Sequence, residues 1–315
     1  MRSWRTYIIG AAALFIAAVV LAFAVGNEYF FFAAYVVLQF IVLATAWNIL
    51  GGYAGYVNFG SGAFFAVGAY TSAALFKAFG APLPVLIVGA GLVTGALGFA
   101  IGVMTLRLRG IFFSIATVAI AVICETVVVN STYVGGSRGM AVLAPLPIGF
   151  TSYNRLLFVV MTVLALLSVA VARYIETSRI GRGLQAIRDS EPAAESVGVP
   201  TLRLKVAAAS ISGALMGVAG APFALYMSFI EPTSAFSLNY AVSALAMPII
   251  GGTASWVGPV IGAVLLGTTQ QIVTVTISSE LNVLVIGLLL VGFVVVAPHG
   301  ILGLVRRRSR AREGR

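Results

Sequence analysis

Apolar runs of about twenty residues, the length that carries a helix across a hydrocarbon core, recur along the whole chain with only short polar breaks. They predict ten spanning segments, at 7–26, 29–50, 57–76, 84–105, 110–130, 154–172, 206–227, 238–250, 259–277 and 281–297. The eighth is short and flanked by Gly and Pro, so the pattern bounds it least well. The first imitates a secretory signal, with Arg2 and Arg5 ahead of it and Ala22-Phe23-Ala24 resembling a cleavage site. It is nonetheless long enough to span and another span follows at once, so it is read as a retained helix.

The polar breaks carry the orientation. Ten spans put both termini on one side, and cytoplasmic loops collect Lys and Arg. With the termini inside, Arg2, Arg5, Arg107, Arg109, Arg173, Arg179, Arg182, Arg188, Arg203, Lys205 and the tail arginines 306, 307, 308, 310, 312 and 315 are cytoplasmic. Only Lys77, Arg138 and Arg155 fall outside, which accounts for all 19 basic residues. The prediction is an all-α, polytopic membrane bundle with both termini cytoplasmic. Its permease domain is 1–305, containing a cytoplasmic loop at 173–205, and a basic tail follows at 306–315.

Composition supports this reading. Hydrophobic residues make up 60% and charged residues 9%, against about 25% charged in a soluble domain. The net charge of +10 sits at segment ends and in the tail, so it encodes orientation and gives no reason to expect nucleic acid. Cys124 is alone and forms no intrachain disulfide. Glycines at spacings that let helix backbones approach, Gly91/Gly95, Gly98/Gly102, Gly213/Gly217 and Gly258/Gly262, predict tight helix packing. Ile49-Leu50-Gly51-Gly52 and Ile249-Ile250-Gly251-Gly252 echo each other at two expected inner ends.

Arg173 to Lys205 is the one long charged loop. Ile180, Leu184 and Ile187 form an apolar stripe at helical spacing there. Asp189 or Ser190 can then cap a second short helix, with Pro192 in its first turn and Gly198 at its end. A helix of that size is unstable alone in water. It is either a docking helix for a cytoplasmic motor or a linker between two helical halves.

The chain resembles the permease subunits of branched-chain amino-acid ABC importers, of the LivM type. The likeness runs through Trp47-Asn48-Ile49-Leu50-Gly51-Gly52-Tyr53-Ala54-Gly55, the 62–70 stretch, Leu106-Arg107-Leu108-Arg109-Gly110 and Gly135-Gly136-Ser137-Arg138-Gly139. It continues through 178–182, Ala186-Ile187-Arg188-Asp189, Gly258-Pro259 and Pro298-His299-Gly300. The resemblance implies a second homologous permease, two cytoplasmic ATP-binding subunits and an extracytoplasmic solute-binding protein as partners, in a bacterial inner membrane. It also implies that Arg188, Asp189, Glu191, Ala193, Ala194, Glu195 and Gly198 couple the permease to the ATPase. The chain departs from the family pattern at Ile111 and Val122, where an acidic residue is common, and at Ala254, where glycine is usual. Those departures leave the solute open between branched-chain or other small amino acids and solutes such as urea or amides.

Other chemistry is excluded by what the chain lacks. Its lysines, Lys77 and Lys205, precede Ala78 and Val206, so no phosphate-binding loop of the Gly-Lys-Ser/Thr type exists. ATP is expected to be used by partner subunits, with no cofactor or metal here. His299 and Cys124 are too isolated to form a catalytic or metal-binding set. An ion-coupled carrier would keep carboxylates or histidines within the bilayer, and Glu125 is the clear candidate of that kind. The polar residues expected to face a solute pathway are Asn48, Asn58, Ser61, Thr117, Glu125 and Asn130, with interhelical hydrogen bonding as the other reading of the uncharged ones. Glu125 is expected to face the protein interior.

Overall fold

The computed structural model describes residues 4–142, 152–276, 281–296 and 300–303. Arg2, Pro298, His299 and the tail 306–315 lie outside the described residues. The chain forms α1 (Trp4–Ala24), α2 (Glu28–Ala54), α3 (Ser61–Phe79), α4 (Leu83–Thr105), α5 (Ile111–Val129), α6 (Tyr153–Thr177) and α7 (Arg179–Asp189). There follow α8 (Glu191–Ser196), α9 (Thr201–Met227), α10 (Pro232–Ala235), α11 (Leu238–Gly251), α12 (Val257–Thr276) and α13 (Leu281–Val296). Nine segments among the described residues are long and apolar enough to cross a membrane, α10 and α11 together supplying Pro232–Gly251. The tenth expected segment is α13, a helix of 16 residues, apolar except for Asn282. Short pieces β1 (Met140–Ala141) and β2 (Phe229–Ile230) pair antiparallel, Met140 opposite Ile230.

Local chemistry sets the helix ends. Side chains of Asn27, Ser152, Ser178 and Ser237 accept hydrogen bonds from the first turns of α2, α6, α7 and α11, satisfying amides that have no partner inside a helix. Gly55 and Gly80 close α2 and α3 in the left-handed conformation that favours glycine.

Alternation along the chain brings like ends together. At one end, Lys77 Nζ donates to the Tyr133 carbonyl (2.6 Å) and Arg155 pairs with Glu28 (2.8 Å). At the other lie the end of α2, the end of α4, α7, α8 and the start of α9, linked by Arg188 to the Gly52 carbonyl (3.1 Å) and Lys205 to the Leu106 carbonyl (2.7 Å). The three basic residues expected outside thus share one end, opposite the charged loop.

The core is organised on α2, buried from Gln39 to Leu50 and surrounded by α6, α9, α11 and α12. The predicted glycine pairs mark the tightest crossings. Gly98 lies against the Ala209 carbonyl, where a Cβ would stand 2.7 Å away, and Gly213 against the Thr94 carbonyl, at 2.9 Å. Gly68 of α3 meets the backbone of Gly217. The two Gly-Gly echoes also meet: a Cβ on Gly52 would stand 2.9 Å from the Thr253 carbonyl oxygen. Hydroxyls tie the same crossings, Ser210 to the Gly95 carbonyl (2.8 Å) and Ser212 to the Ala46 carbonyl (2.7 Å).

Candidate coupling site and buried polar groups

Arg173 to Lys205 folds as two helices held against the inner ends of the spans. In α7, Leu184 and Ile187 are buried, so the apolar stripe packs inward. Ser190 stands at the N-cap of α8 without a capping hydrogen bond from its side chain, Pro192 lies in the first turn, and Val197 ends the helix just before Gly198, at φ +85°. The six residues of α8 are too few to persist alone, and the chain supplies its own anchor. Glu191 accepts a hydrogen bond from Lys205 Nζ (2.6 Å) and another from the Tyr56 hydroxyl. Lys205 also donates to the Leu106 carbonyl, and Arg109 lies 3.6 Å from Glu191. One carboxylate therefore joins α8 to the α2–α3 turn, the α4–α5 turn and the first turns of α9.

The electrostatics favour the charged pair. Burial works against ionisation of Glu191, but the hydrogen bonds from Lys205 and Tyr56 and the charges of Lys205 and Arg109 outweigh it and hold its pKa below the ordinary 4.5. The Tyr56 hydroxyl is raised, first by burial and then by the neighbouring Glu191. Lys205 is itself buried, as a charged group requires when it is fully partnered.

The coupling candidates divide by direction. Ala194 is 3% exposed, packed within the chain. Ala193, Glu195, Gly198 and Asp189 are exposed, and Val197 is 78% exposed. A Cβ on Gly198 meets nothing within 4 Å. Glu195 holds the Thr201 hydroxyl (2.9 Å) and lies 3.7 Å from Arg109, while Arg188 lies 3.6 Å from Asp189. A second anchor, Glu176 at the end of α6, accepts from the Trp256 amide (2.6 Å) and the Tyr53 hydroxyl (3.3 Å).

Of the pathway candidates, Asn58, Ser61 and Thr117 come together beside the α2–α3 turn. Asn58 accepts from the Gly60 amide through its side chain (2.8 Å) and from Trp47 Nε1 through its carbonyl (2.8 Å). Thr117 accepts from the Phe59 amide (3.1 Å) and donates to the Ser114 carbonyl (2.7 Å). Ser61 is buried with no hydrogen bond to its hydroxyl. Asn48 is fully buried, its carboxamide near the Tyr53 hydroxyl without reaching hydrogen-bond geometry. Asn130 caps α5, donating to the Thr126 carbonyl (2.8 Å). Glu125 stands apart, half-buried on α5, a helix whose Ile111, Ile115, Val122 and Val127 are exposed. It shares the half-buried side of that helix with Ala121 and Val128, which pack against the core.

Sequence reading missed a second set of polar groups. Tyr35, Gln39 and Thr45 of α2 and Tyr226 of α9 each bury a polar atom without a hydrogen bond among the described residues. Tyr35 stacks on Tyr226 at 4.2 Å between ring centroids, and Gln270 reaches the Ser243 hydroxyl at 3.5 Å across α11 and α12. An unpartnered buried polar group costs about 1–3 kcal/mol. Gln39 was visible as an amide inside an apolar run; the tyrosines gave no signal, because their rings are apolar and common in such runs.

A helical bundle with an asymmetric distribution of charge, inner-end loops welded to the spans and no catalytic constellation among the described residues is a polytopic membrane permease. The family of the branched-chain amino acid transport system, permease component, matches residues 29–294, and the chain belongs to that family. It is 29% identical over 302 residues to the high-affinity branched-chain amino acid transport system permease protein LivM of Salmonella typhimurium, covering 87% of this chain and 70% of that protein. It is 27% identical over 265 residues to the probable branched-chain amino acid transport permease protein LivH of Methanocaldococcus jannaschii, covering 78% and 83%. It is 24% identical over 287 residues to the permease protein BraD of Pseudomonas aeruginosa, covering 84% and 91%. No solved structure matches.

Proposed function

We propose that this permease forms one half of the membrane core of a bacterial inner-membrane importer and moves small amino acids inward by alternating access. A second permease would complete the core, two cytoplasmic ATP-binding subunits would drive it, and an external binding protein would deliver the solute. The carrying observation is the split character of α8. Its outer side presents Ala193, Glu195 and Val197, while its root is fastened through Glu191 to three junctions between spans. Force applied to the exposed side passes directly to α2, α4, α5 and α9. The ATP itself belongs to the partners, since neither lysine of this chain lies in a phosphate-binding loop.

Glu125 supports the pairing. A carboxylate facing lipid in the middle of a span costs about 2.5–3.5 kcal/mol, and α5 is mostly uncovered in the single chain. A second permease laid on the uncovered side of α5 would complete the enclosure of the half-buried Glu125. Branched-chain amino acids are the first solutes to test, because the related permeases are named for transporting them. Urea or an amide is the second, favoured by Ile111 and Val122 at positions where the resemblance leads one to expect acidic residues.

The test co-expresses the permease with its ATPases and reads co-purification and solute-stimulated hydrolysis in vesicles. Val197→Glu and Ala193→Trp should leave insertion intact and abolish stimulated hydrolysis or detach the ATPase. Unchanged coupling in both variants would mean that the motor docks elsewhere. Uptake of leucine against urea in the same vesicles decides the solute class.

A further inference from the structure

A long cavity runs beside α1 and α6. It is a groove of about 790 Å³ between α1, α2, α6 and α12, walled by residues such as Gly10, Ala11, Ala17 and Ala165. Along α6 it runs from Phe158 to Arg173 and along α1 from Thr6 to Leu21, about 22 Å at 1.5 Å per residue. The walls are apolar for most of that length. Thr162, one turn from the Phe158 end, spends its hydroxyl on the Phe158 carbonyl of its own helix (2.8 Å).

One end differs. Arg173 lines the groove there, its guanidinium 5.3, 5.1 and 5.5 Å from the ring centroids of Trp4, Tyr7 and Trp256. Tyr7 donates to the Leu166 carbonyl (2.7 Å), which fixes the ring. Tryptophan and tyrosine gather at the level of lipid headgroups, so the cation stands at that level and the apolar trough descends from it into the hydrocarbon layer. Exposed Arg5 lies on the same turn of α1 as Trp4.

Polarity along the groove selects the occupant. The trough is apolar along most of its length and carries a cation among aromatic rings at one end, the order of an acyl chain below an anionic head. Basic pockets between spans near the cytoplasmic face suit anionic headgroups.

We propose that this groove is a phospholipid site, with acyl chain along α1 and α6 and an anionic headgroup phosphate at Arg173. The site would fasten α1, which otherwise touches little besides α6, to the bundle. This inference does not depend on the solute or on ATPase docking.

Native mass spectrometry of the full chain, extracted from membranes in mild detergent, tests it. The wild type should retain a phospholipid, phosphatidylglycerol in preference to phosphatidylethanolamine. A Cβ at Gly10 meets nothing within 4 Å, so Gly10→Leu should fold, occupy the groove and lower retained lipid about tenfold, the equivalent of 1.4 kcal/mol. Ala17→Leu fills the same trough from a separate position and should act alike. Arg173→Gln should remove the preference for phosphatidylglycerol while tails remain bound, and Arg173→Lys should restore it. Thermal stability in phosphatidylglycerol nanodiscs should exceed that in phosphatidylcholine nanodiscs for the wild type and not for Gly10→Leu, by mass action. Wild-type lipid retention in both filled variants, a co-purifying polypeptide displaced by them, or equal stabilisation by inorganic phosphate in solution would overturn the proposal.

Discussion

Lys205 and Glu191 stand at the centre of the inner surface, and their value is best judged by removing one of them. Lys205→Met leaves the Glu191 carboxylate partly buried beside Tyr56 without its main counter-charge, and breaking a buried pair in this way costs about 3–5 kcal/mol. Lys205→Met combined with Glu191→Gln removes the uncompensated charge and should recover most of that loss, as read from unfolding midpoints in detergent. The same carboxylate sets a pH response. Its folded pKa lies below the ordinary 4.5, so its contribution is complete above that value and disappears as pH falls through the lowered one. Hydrogen exchange across α8 should stay slow from pH 7 down to the ordinary carboxylate range and quicken only in stronger acid. Quickening already near pH 6 would assign the anchor to another group. None of this was legible in the sequence, where Lys205 counted as one more cytoplasmic charge and Glu191 as one of the residues turned toward the ATPase. The pairing depends on α9 running back to the Tyr56 turn and the Leu106 carbonyl, which no local pattern records.

Among the helices, the α4–α9 and α3–α9 crossings depend on missing side chains. Gly217 lies against Thr94 on one side and Gly68 on the other, so Gly217→Val must push two helices apart. Overpacking typically costs about 1–3 kcal/mol, and this variant should show a lower unfolding midpoint and reduced yield. Gly287→Ala on α13, where a Cβ meets nothing within 4 Å, should not. These spans were legible to within a few residues because hydrophobicity alone defines them, and the small-residue spacing identified which helices approach closely. The short helix α8 was legible too, through Ser190, Pro192 and Gly198. Its stability was not: shortness in water argued for an outside partner, whereas Ala194 buried within the chain and the Glu191 anchor hold it from below.

For the molecule as a whole, the antiparallel order of the helices places Lys77, Arg138 and Arg155 opposite the charged loop, and the orientation predicted from them can be measured. In a Cys124→Ser background, Val197→Cys should resist a membrane-impermeant thiol reagent in intact cells and react in inverted vesicles. Thr132→Cys, in the turn beside Lys77, should behave in the opposite way. Labelling of Val197→Cys from outside would invert the topology and remove the cytoplasmic assignment of α8. The solute pathway is less legible at this scale. Asn58 and Thr117 are engaged in stitching the α2–α3 turn to α5, while Glu125 is half-buried on a helix whose other side one chain leaves uncovered. Pathways formed between two chains leave no complete trace in either.

The glycine crossings also restrict how the permease can move. Side chains that interdigitate can change rotamer and let helices slide past one another, but backbones in direct contact have nothing to rearrange. At Gly68 and Gly217, and where Gly98 meets Ala209, α3, α4 and α9 touch main chain to main chain, so any shear among them would first require separation. These three spans therefore form a single stiff lever, with Lys205 at its foot as the grip. Under the proposed function, a stroke delivered at α8 would turn the lever as one piece, and the give needed to open and close a passage would have to come from helices at its margin, α5 among them.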